Sequence, residues 1–445
     1  MTHLEVQKKL NSAQHGFRSN RSCLTQLIQH YDDVLKILEN GDNCDSIYLD
    51  FSKAFDKVDH GILLHKMKQI GIDGKIALWI SNFLSNREQQ VVVNGTRSKP
   101  SIVKSGVPQG TVLGPILFLL LINDIDQNID GSRVAIFADD TRVFRAISDV
   151  SCVEKLQDDL EMLYLWEKEN NMQFNAKKFE LLRYGGNEHV KMDTLYFTPN
   201  MDQIIEDKSE LRDLGVIMSN DMKFSKHVSK ICTTVRQKSG WVLRTFSCRQ
   251  EFFMKLMWKS LLQPHIDYCS QLYFSPSNTG DIEQLENLQR NFTGKIPSVR
   301  SMNYWERLKH LRMRSQQRRL ERYRILYTWK VLEERVPNCG ISASNCERKG
   351  RLCNIPKINK NAKKSVQNLR EDSFQVNGPR LFNCIPAEIR NMTRCHIDDF
   401  KFKLDNFLNT IPDEPKVPHL IPTASNMMTA NPSNSLVDQI RSCRK

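Results

Sequence analysis

Apolar positions along the first 185 residues alternate between two periods. From Ser22 to Leu38 they recur every three or four residues (Leu24, Leu27, Ile28, Tyr31, Leu35, Leu38), which predicts an amphipathic helix. Gly41-Asp42-Asn43 breaks it, and "DSIYLDF" (Asp45 to Phe51) is short and apolar enough for a strand. Helices are predicted near Gly61–Ile70 and Asp73–Leu84. "EQQVVVNGTRSKPSIVKSG" then gives strand, turn around Asn94-Gly95, strand, with a loop longer than two residues. "SGVPQGTVLGP" (Ser105 to Pro115) leads into the apolar helix "PILFLLLI", with Pro115 in the first turn, where its missing N–H costs nothing. "RVAIFADDTRVFRAI" (Arg133 to Ile147) is strand, acidic turn, strand. An amphipathic helix follows from Ser148, its stripe made by Val153, Leu156, Leu160 and Leu163, and Asn171–Gly185 is turn, strand, loop, strand.

After about Gly185 the texture changes. Leu211–Ser219 looks like a short strand pair, and helices dominate from Lys226 to a basic stretch, Ser298–Lys330. Beyond Val336 the segments are short and rich in Asn, Pro and Cys, and a tail follows Ile411 whose Pro and Ser content predicts disorder. We therefore expect an α+β chain in four parts: residues 1–190, 191–335, 336–411 and a disordered 412–445.

Composition sharpens this picture in two ways. The 445 residues are 40 % hydrophobic, enough for more than one core, and carry a formal net charge of +13. A surplus of that size points to an anionic partner, nucleic acid first. The twelve cysteines form no CxxC pair; Cys339, Cys346 and Cys353 are spaced unlike a zinc site, and ordinary thiols are the simpler reading. With no secretory signal after Met1 and no apolar run long enough for a bilayer, an intracellular protein without membrane association is expected, in nucleus or cytoplasm.

The chemistry is carried by acids inside apolar sequence. Asp32-Asp33 and Asp158-Asp159 lie in helical patterns, where solvated charge is the default, but Asp139-Asp140 sit between two apolar runs, as at the tip of a β-hairpin. Two adjacent carboxylates in a partly dry site repel, so one takes a proton or a cation binds. Mg²⁺ needs only one or two protein carboxylates, the rest of its octahedron being water and phosphate. Asp50, at the end of the "IYLD" run, offers a third acid, although a helix N-cap is an equally good reading of it alone. Asp56 and Asp59 suit an exposed turn and are not counted as ligands. The glycines around Gln109 let backbone approach a ligand closely, but no GKS or GKT marks a phosphate loop.

Taken in order, "QHGFRSNRSCLTQL", "YLDFSKAFDKVDH", "GVPQGTVLGPILFLLLINDI", "FADDT", "NNMQFNAKKFE" and "DLGVIMS" resemble the reverse transcriptase of non-LTR retrotransposons of the jockey-like kind; "YWERLKHLRMRSQQRRLERYRIL" and "FNCIPAEIRN" resemble the region after the polymerase in such elements. The resemblance implies a polymerase palm, an antiparallel sheet with packed helices, followed by a mostly helical thumb and a C-terminal extension, with part of the fingers in residues 1–190. It implies that Asp50, Asp139 and Asp140 hold two Mg²⁺ ions together with the Phe51 carbonyl, and that Phe55 crowds the sugar 2′-position. It places Gln109 and Gly110 beneath the incoming nucleotide, and Lys178, or its neighbour Lys177, near the pyrophosphate. The implied partners are an RNA template, a DNA primer and deoxynucleoside triphosphates. The arginine-rich stretch with Arg312, Arg314, Arg318, Arg319, Arg322 and Arg324 is the candidate for backbone contact, a solvated face being the alternative; most of the interleaved aromatics (Tyr304, Trp305, Tyr323, Tyr327, Trp329) are expected in the core. The family's upstream fingers stretch, including an Arg-Pro-Ile motif, has no counterpart here, so an N-terminally truncated polymerase is expected. The competing expectation is a remnant that binds nucleic acid without polymerising.

Overall fold

The structure is a computed structural model that describes residues 1–185, 194–199, 202–346, 350–414, 436–437 and 440. It divides into two compact units, Met1–Gln26 with Asn40–Leu211, and Leu27–Glu39 with Arg212–Lys445. The division falls after Leu211, whereas pattern alone set boundaries at 190 and 335. The expected disordered tail lies mostly outside the described residues.

The first unit contains α1 (Thr2–Val6), the start of α2 (Cys23–Glu39), β1 (Asn43–Leu49), α3 (His60–Gln69) and α4 (Gly74–Leu84). Then come β2 (Arg87–Gln89), β3 (Val92–Val93), β4 (Thr96–Arg97), β5 (Ser101–Val103) and α5 (Leu113–Leu121). β6 (Arg133–Phe137), β7 (Asp140–Ile147), α6 (Val150–Glu169), β8 (Glu180–Tyr184) and β9 (Glu206–Lys208) complete it. Five of these strands form one sheet in the order β6-β7-β1-β8-β9, antiparallel except for the β8–β9 edge. β1 is its middle strand and is buried on both faces, which is why its Ile47, Tyr48 and Leu49 are consecutive instead of alternating with polar residues. The all-apolar α5 is buried for the same reason, and its Leu117, Phe118, Leu120 and Leu121 share one core with Ile47, Leu49, Ile136, Val143, Leu156, Leu160 and Leu181.

Two local expectations need revising. The hairpin after α4 closes in two steps: β2 pairs with β5, and β3 with β4 around Asn94-Gly95, a two-residue turn with φ of 47° and 82°. Positive φ at both positions is what Asn-Gly supplies, and Pro100, lacking an N–H, helps interrupt the ladder outside it. The first strand expected in Asn171–Gly185 is a single bridge, Phe51 to Phe174, followed by a 3₁₀ turn over Ala176–Lys178.

The second unit is helical apart from short ribbons. The strand pair expected near Leu211–Ser219 is present as β10 (Glu210–Asp213) and β11 (Val216–Ser219). It continues with α7 (Ser225–Thr245), α8 (Glu251–Met257), α9 (Gln263–Asp267), α10 (Ser270–Tyr273), α11 (Thr279–Thr293), α12 (Tyr304–Leu311) and α13 (Gln316–Leu332). A ribbon of β12 (Ala343–Cys346) and β13 (Gly350–Cys353) precedes α14 (Lys364–Asp372), α15 (Phe374–Cys384), α16 (Ala387–Arg390) and α17 (Ile397–Asn409). No described helix is long and apolar enough to cross a membrane.

α13 corrects the reading of the arginine-rich stretch. It is buried on nearly every side, and its arginines are internal fasteners. Arg319 grips Asp267 through Nε at 2.8 Å and Nη2 at 2.6 Å; Arg322 grips Asp405, with Nη2 at 2.8 Å. Arg314 also reaches Asp405, at 2.9 Å. Arg318 is 3 % exposed and donates to the carbonyls of Leu408 and Pro412. Arg324 is fully buried and donates to the carbonyls of Gln271, Asp372 and Phe274. Of the six candidate contact arginines only Arg312, at the left-handed C-cap of α12, is exposed. Guanidinium groups already satisfied by carboxylates and carbonyls have little left to offer a phosphate. Tyr304, Tyr327 and Trp329 are buried, Trp329 stacking on Phe400 at 4.7 Å, while Trp305 and Tyr323 are half-buried.

Arg324→Met should lower unfolding stability by about 2–4 kcal/mol, because three carbonyls lose their donor in a dry interior. Arg312→Ala should stay within about 0.5 kcal/mol of wild type. Urea unfolding followed by circular dichroism checks both.

Candidate active site

The site grows out of strand register. β1 runs antiparallel to β7 with Leu49 opposite Thr141, so the next step sets Asp50 opposite Asp140. Residues so paired lie about 4.5–5.5 Å apart and project from the same face. Two residues further along, the Arg142 guanidinium lies 5.6 Å from the Tyr48 ring centre, on that same face. β6 and β7 meet with Phe137 opposite Asp140, leaving Ala138-Asp139 as a two-residue turn. Asp139 and Asp140 are thus at a hairpin tip, as the sequence predicts, and Asp50 stands at the end of the neighbouring strand instead of capping a helix.

Beyond Asp50 the chain is pinned to its other neighbour. Asn175 N–H donates to the Asp50 carbonyl at 2.7 Å, and Ser52 N–H to the Gln173 carbonyl at 2.7 Å. The bonds flanking this bridge belong to Asp50 and Ser52, not to Phe51, whose ring is buried and stacked on Phe174 at 4.3 Å. The same pinning fixes the Ala176–Lys178 turn, and Lys178 Nζ reaches Asp50 Oδ2 at 2.8 Å. Lys177 instead lines a small cleft of about 330 Å³ with Ser52, Gln173 and Thr198. Of the two lysines left open by the sequence, Lys178 is the one at the acids.

Phe55 and Gln109 are brought close by one docking contact. The loop after β5 lies on the Ala54–Val58 turn: Val107 N–H donates to the Phe55 carbonyl at 2.9 Å and Gly106 N–H to the Val58 carbonyl at 2.8 Å. Gly106 has φ of +85°, and a Cβ there would lie 2.7 Å from the Asp56 carbonyl oxygen, so the approach requires glycine. Gln109 is exposed and its Nε2 donates to Asp56 Oδ1 at 3.1 Å; Gly110, with φ of 77°, follows it on the surface. Phe55 is half-buried, stacked on Phe118 at 4.5 Å with Phe17 edge-on at 6.1 Å. Asp59 caps α3 by accepting from Ile62 N–H at 3.0 Å. Asp56 and Asp59 therefore have scaffold roles.

The electrostatics are those of a site short of positive charge. Burial raises the Asp139 carboxyl above its ordinary value, and the Asp50 charge adds to this. Burial also raises Asp140, with further repulsion from Asp139 and Asp50. The Lys178 ammonium is held above its usual value by its hydrogen bond and charge attraction to Asp50, with smaller help from Asp140 and Asp139. An ammonium thus lies where these acids draw a cation. Among the described residues no three His, Cys, Asp or Glu side chains form a finished coordinating cluster. The carboxylates repel one another, and Asp50 is turned to Lys178. The donor set fits a hard divalent ion: it offers oxygen ligands only, and few of them, as for an ion that completes its shell with water and phosphate.

Sequence reasoning missed two features. The first is Gln14, whose side chain contacts the Ala138 turn and which is taken up below. The second is a basic face on α7. Its exposed residues include Lys230, Arg236, Lys238, Arg244 and Trp241, and the helix has no acidic residue from Ser225 to Thr245. That run of 21 residues without an acid is the sequence signal for it.

The raised carboxyls give a signed expectation. A folded carboxyl shifted upward weakens the fold as pH rises through its titration and costs nothing below the unfolded value of about 3.8, where it is protonated in both states. In metal-free protein, Asp140→Asn should therefore raise the melting temperature at pH 7 by about 1–2 °C. The gain should fade as pH falls toward 4 and reverse when a divalent ion is added, which scanning calorimetry measures.

Residues 1–218 match the family described as "Reverse transcriptase (RNA-dependent DNA polymerase)". The chain is 27 % identical over 293 residues to the RNA-directed DNA polymerase from mobile element jockey of Drosophila melanogaster, covering 61 % of this chain and 30 % of that protein. It is 29 % identical over 282 residues to the probable RNA-directed DNA polymerase from transposon X-element of the same species, again 61 % and 30 %. The chain thus spans about a third of the length of the curated relatives it matches. Apo telomerase from Candida tropicalis overlays with a TM-score of 0.39 at 12 % identity, over 70 % of this chain and 52 % of that one, a likeness too loose to carry an argument. With its acids at the β1 end and the β6–β7 tip, the region of residues 1–218 belongs to the reverse transcriptase family, and the chain resembles the jockey-like non-LTR retrotransposon branch of it.

Proposed function

We propose that this chain is an RNA-directed DNA polymerase of a non-LTR retrotransposon, extending a DNA primer on an RNA template. The observation that carries the proposal is the register that sets Asp50 opposite Asp140, beside Asp139, in a domain of this family. In this reading the first unit is the palm with part of the fingers, and the second is the thumb and its extension.

The primer 3′-hydroxyl loses its proton to water as its oxygen forms a bond to the α-phosphorus of a deoxynucleoside triphosphate, the bond to the bridging oxygen breaks, and pyrophosphate leaves with its electron pair. Two Mg²⁺ ions held by Asp50, Asp139, Asp140 and the Phe51 carbonyl would lower the pKa of the 3′-hydroxyl and neutralise the leaving oxygens. The remaining residues position and select. Lys178, already drawn to the acids, exchanges Asp50 for the triphosphate as counter-charge. Phe55, locked on Phe118, presents a ring edge that crowds a ribose 2′-hydroxyl. Gln109 and Gly110 form the floor under the base pair, held there by the Gly106 contact with Asp56. The basic face of α7 takes the phosphate backbone in place of the committed arginines of α13.

Primer extension on an RNA template should proceed with Mg²⁺, stop with a chelator, and fall about a thousandfold or more in Asp139→Asn. Tight template binding by wild type without extension would instead identify a binding remnant. In binding titrations across salt concentration, the pair Lys238→Ala and Arg244→Ala should reduce the log–log slope by about 1.5, while Arg322→Ala leaves it unchanged.

A further inference from the structure

Gln14 belongs to no step above, yet its side chain ends at the acidic turn. It is 3 % exposed. Its Oε1 accepts from Ala138 N–H at 2.8 Å and from Gly16 N–H at 2.6 Å, and its Nε2 donates to the Ala138 carbonyl at 3.3 Å. One carboxamide thus occupies both polar groups of a single backbone residue. That residue immediately precedes Asp139.

Ala138 needs such a hold. It has φ of 56°, while Asp139 is not among the positive-φ residues. A two-residue hairpin turn with positive φ only at its first position is the type II′ pattern, where glycine is the usual occupant. A Cβ in that conformation costs about 1–2 kcal/mol, and the strained turn persists only if its surroundings impose it. The imposing element is the segment around Gln14. Its backbone runs along β6, with His15 N–H donating to the Ile136 carbonyl at 2.8 Å and Ile136 N–H to the Ala13 carbonyl at 3.1 Å. Gly16 closes the contact: a Cβ on it would lie 2.3 Å from Ala138 N. Glycine is thus required beside the turn so that alanine can sit in it. A simple core glutamine would satisfy itself wherever partners were available. This one has its hydrogen bonds on the turn that aims two acids and on the glycine packed against it.

From this geometry we infer that Gln14 is a positioning residue for the acidic turn: its carboxamide clamps the Ala138 peptide groups so that Asp139 and Asp140 are aimed together at a divalent cation. The inference rests on the proposed polymerase reading, but its test needs neither template nor nucleotide. Mn²⁺ binding to the full chain is measured by water-proton relaxation, alongside thermal melting. Gln14→Ala should weaken Mn²⁺ affinity by about 10-fold or more, the usual effect of removing a support behind a metal ligand. Gln14→Met, which fills the same space without an amide, serves if the alanine variant does not fold, and should weaken binding equally. Adding Ala138→Gly to either variant removes the Cβ strain. It should recover melting temperature without recovering Mn²⁺ affinity, which separates aiming from stability. A folded Gln14 variant that binds Mn²⁺ within twofold of wild type, or an affinity restored together with stability by Ala138→Gly, overturns the assignment and leaves the polymerase reading standing. Wild-type chain that binds no Mn²⁺ overturns both.

Discussion

The alignment of β1 with β7 is the constraint on which the rest depends. Side chains alternate faces along a strand, so a slip of one residue would send Asp50 to the opposite face from Asp140. The register is held from both sides. β1 is hydrogen-bonded to β7 along one edge and to β8 along the other, and Ile47, Val143 and Leu181 interlock in the same core. An apolar core is therefore what sets three charges at one end of a sheet. The acids repel each other, and the packing of β1, β7 and α5 keeps them there against that repulsion.

Around this fixed frame the remaining site residues are placed by backbone hydrogen bonds instead of by their own side chains. The Asp50 carbonyl fixes Asn175 and so the turn that carries Lys178. The Phe55 carbonyl receives Val107 and so sets where Gln109 emerges. Each such link joins distant parts of the chain at a peptide group, which is insensitive to side-chain substitution. Two glycines stand where backbones must touch, Gly106 against Asp56 and Gly16 against Ala138.

Charge in the second unit follows a different logic. A basic composition does not specify a basic surface. α13 carries more arginines than any other described helix, yet Asp267, Asp405 and the carbonyls of Phe274, Leu408 and Pro412 take up its guanidinium groups. α7 has as many lysines and arginines but no acids, and it keeps its charge at the surface. Arginine suits the first role because its planar fork can satisfy several acceptors in a confined space.

Local pattern was sufficient for α2, α3, α4, the acidic hairpin and the strand ending at Asp50, because period and turn chemistry act over a few residues. The ordered motifs also named the three acids and Lys178. Their meeting was not legible in any one stretch, since Asp50 and Asp140 are joined only through strand pairing. The fate of the α13 arginines and the target of Gln14 were equally hidden. Arg322 finds Asp405 83 residues away, and Gln14 finds Ala138 124 residues away. The sequence by itself determined which segments are strands, which are helices and which acids are out of place in them. Tertiary structure alone decided which charges are spent inside the fold and which remain for a ligand, because the partners that neutralise or aim a side chain are chosen by long-range packing.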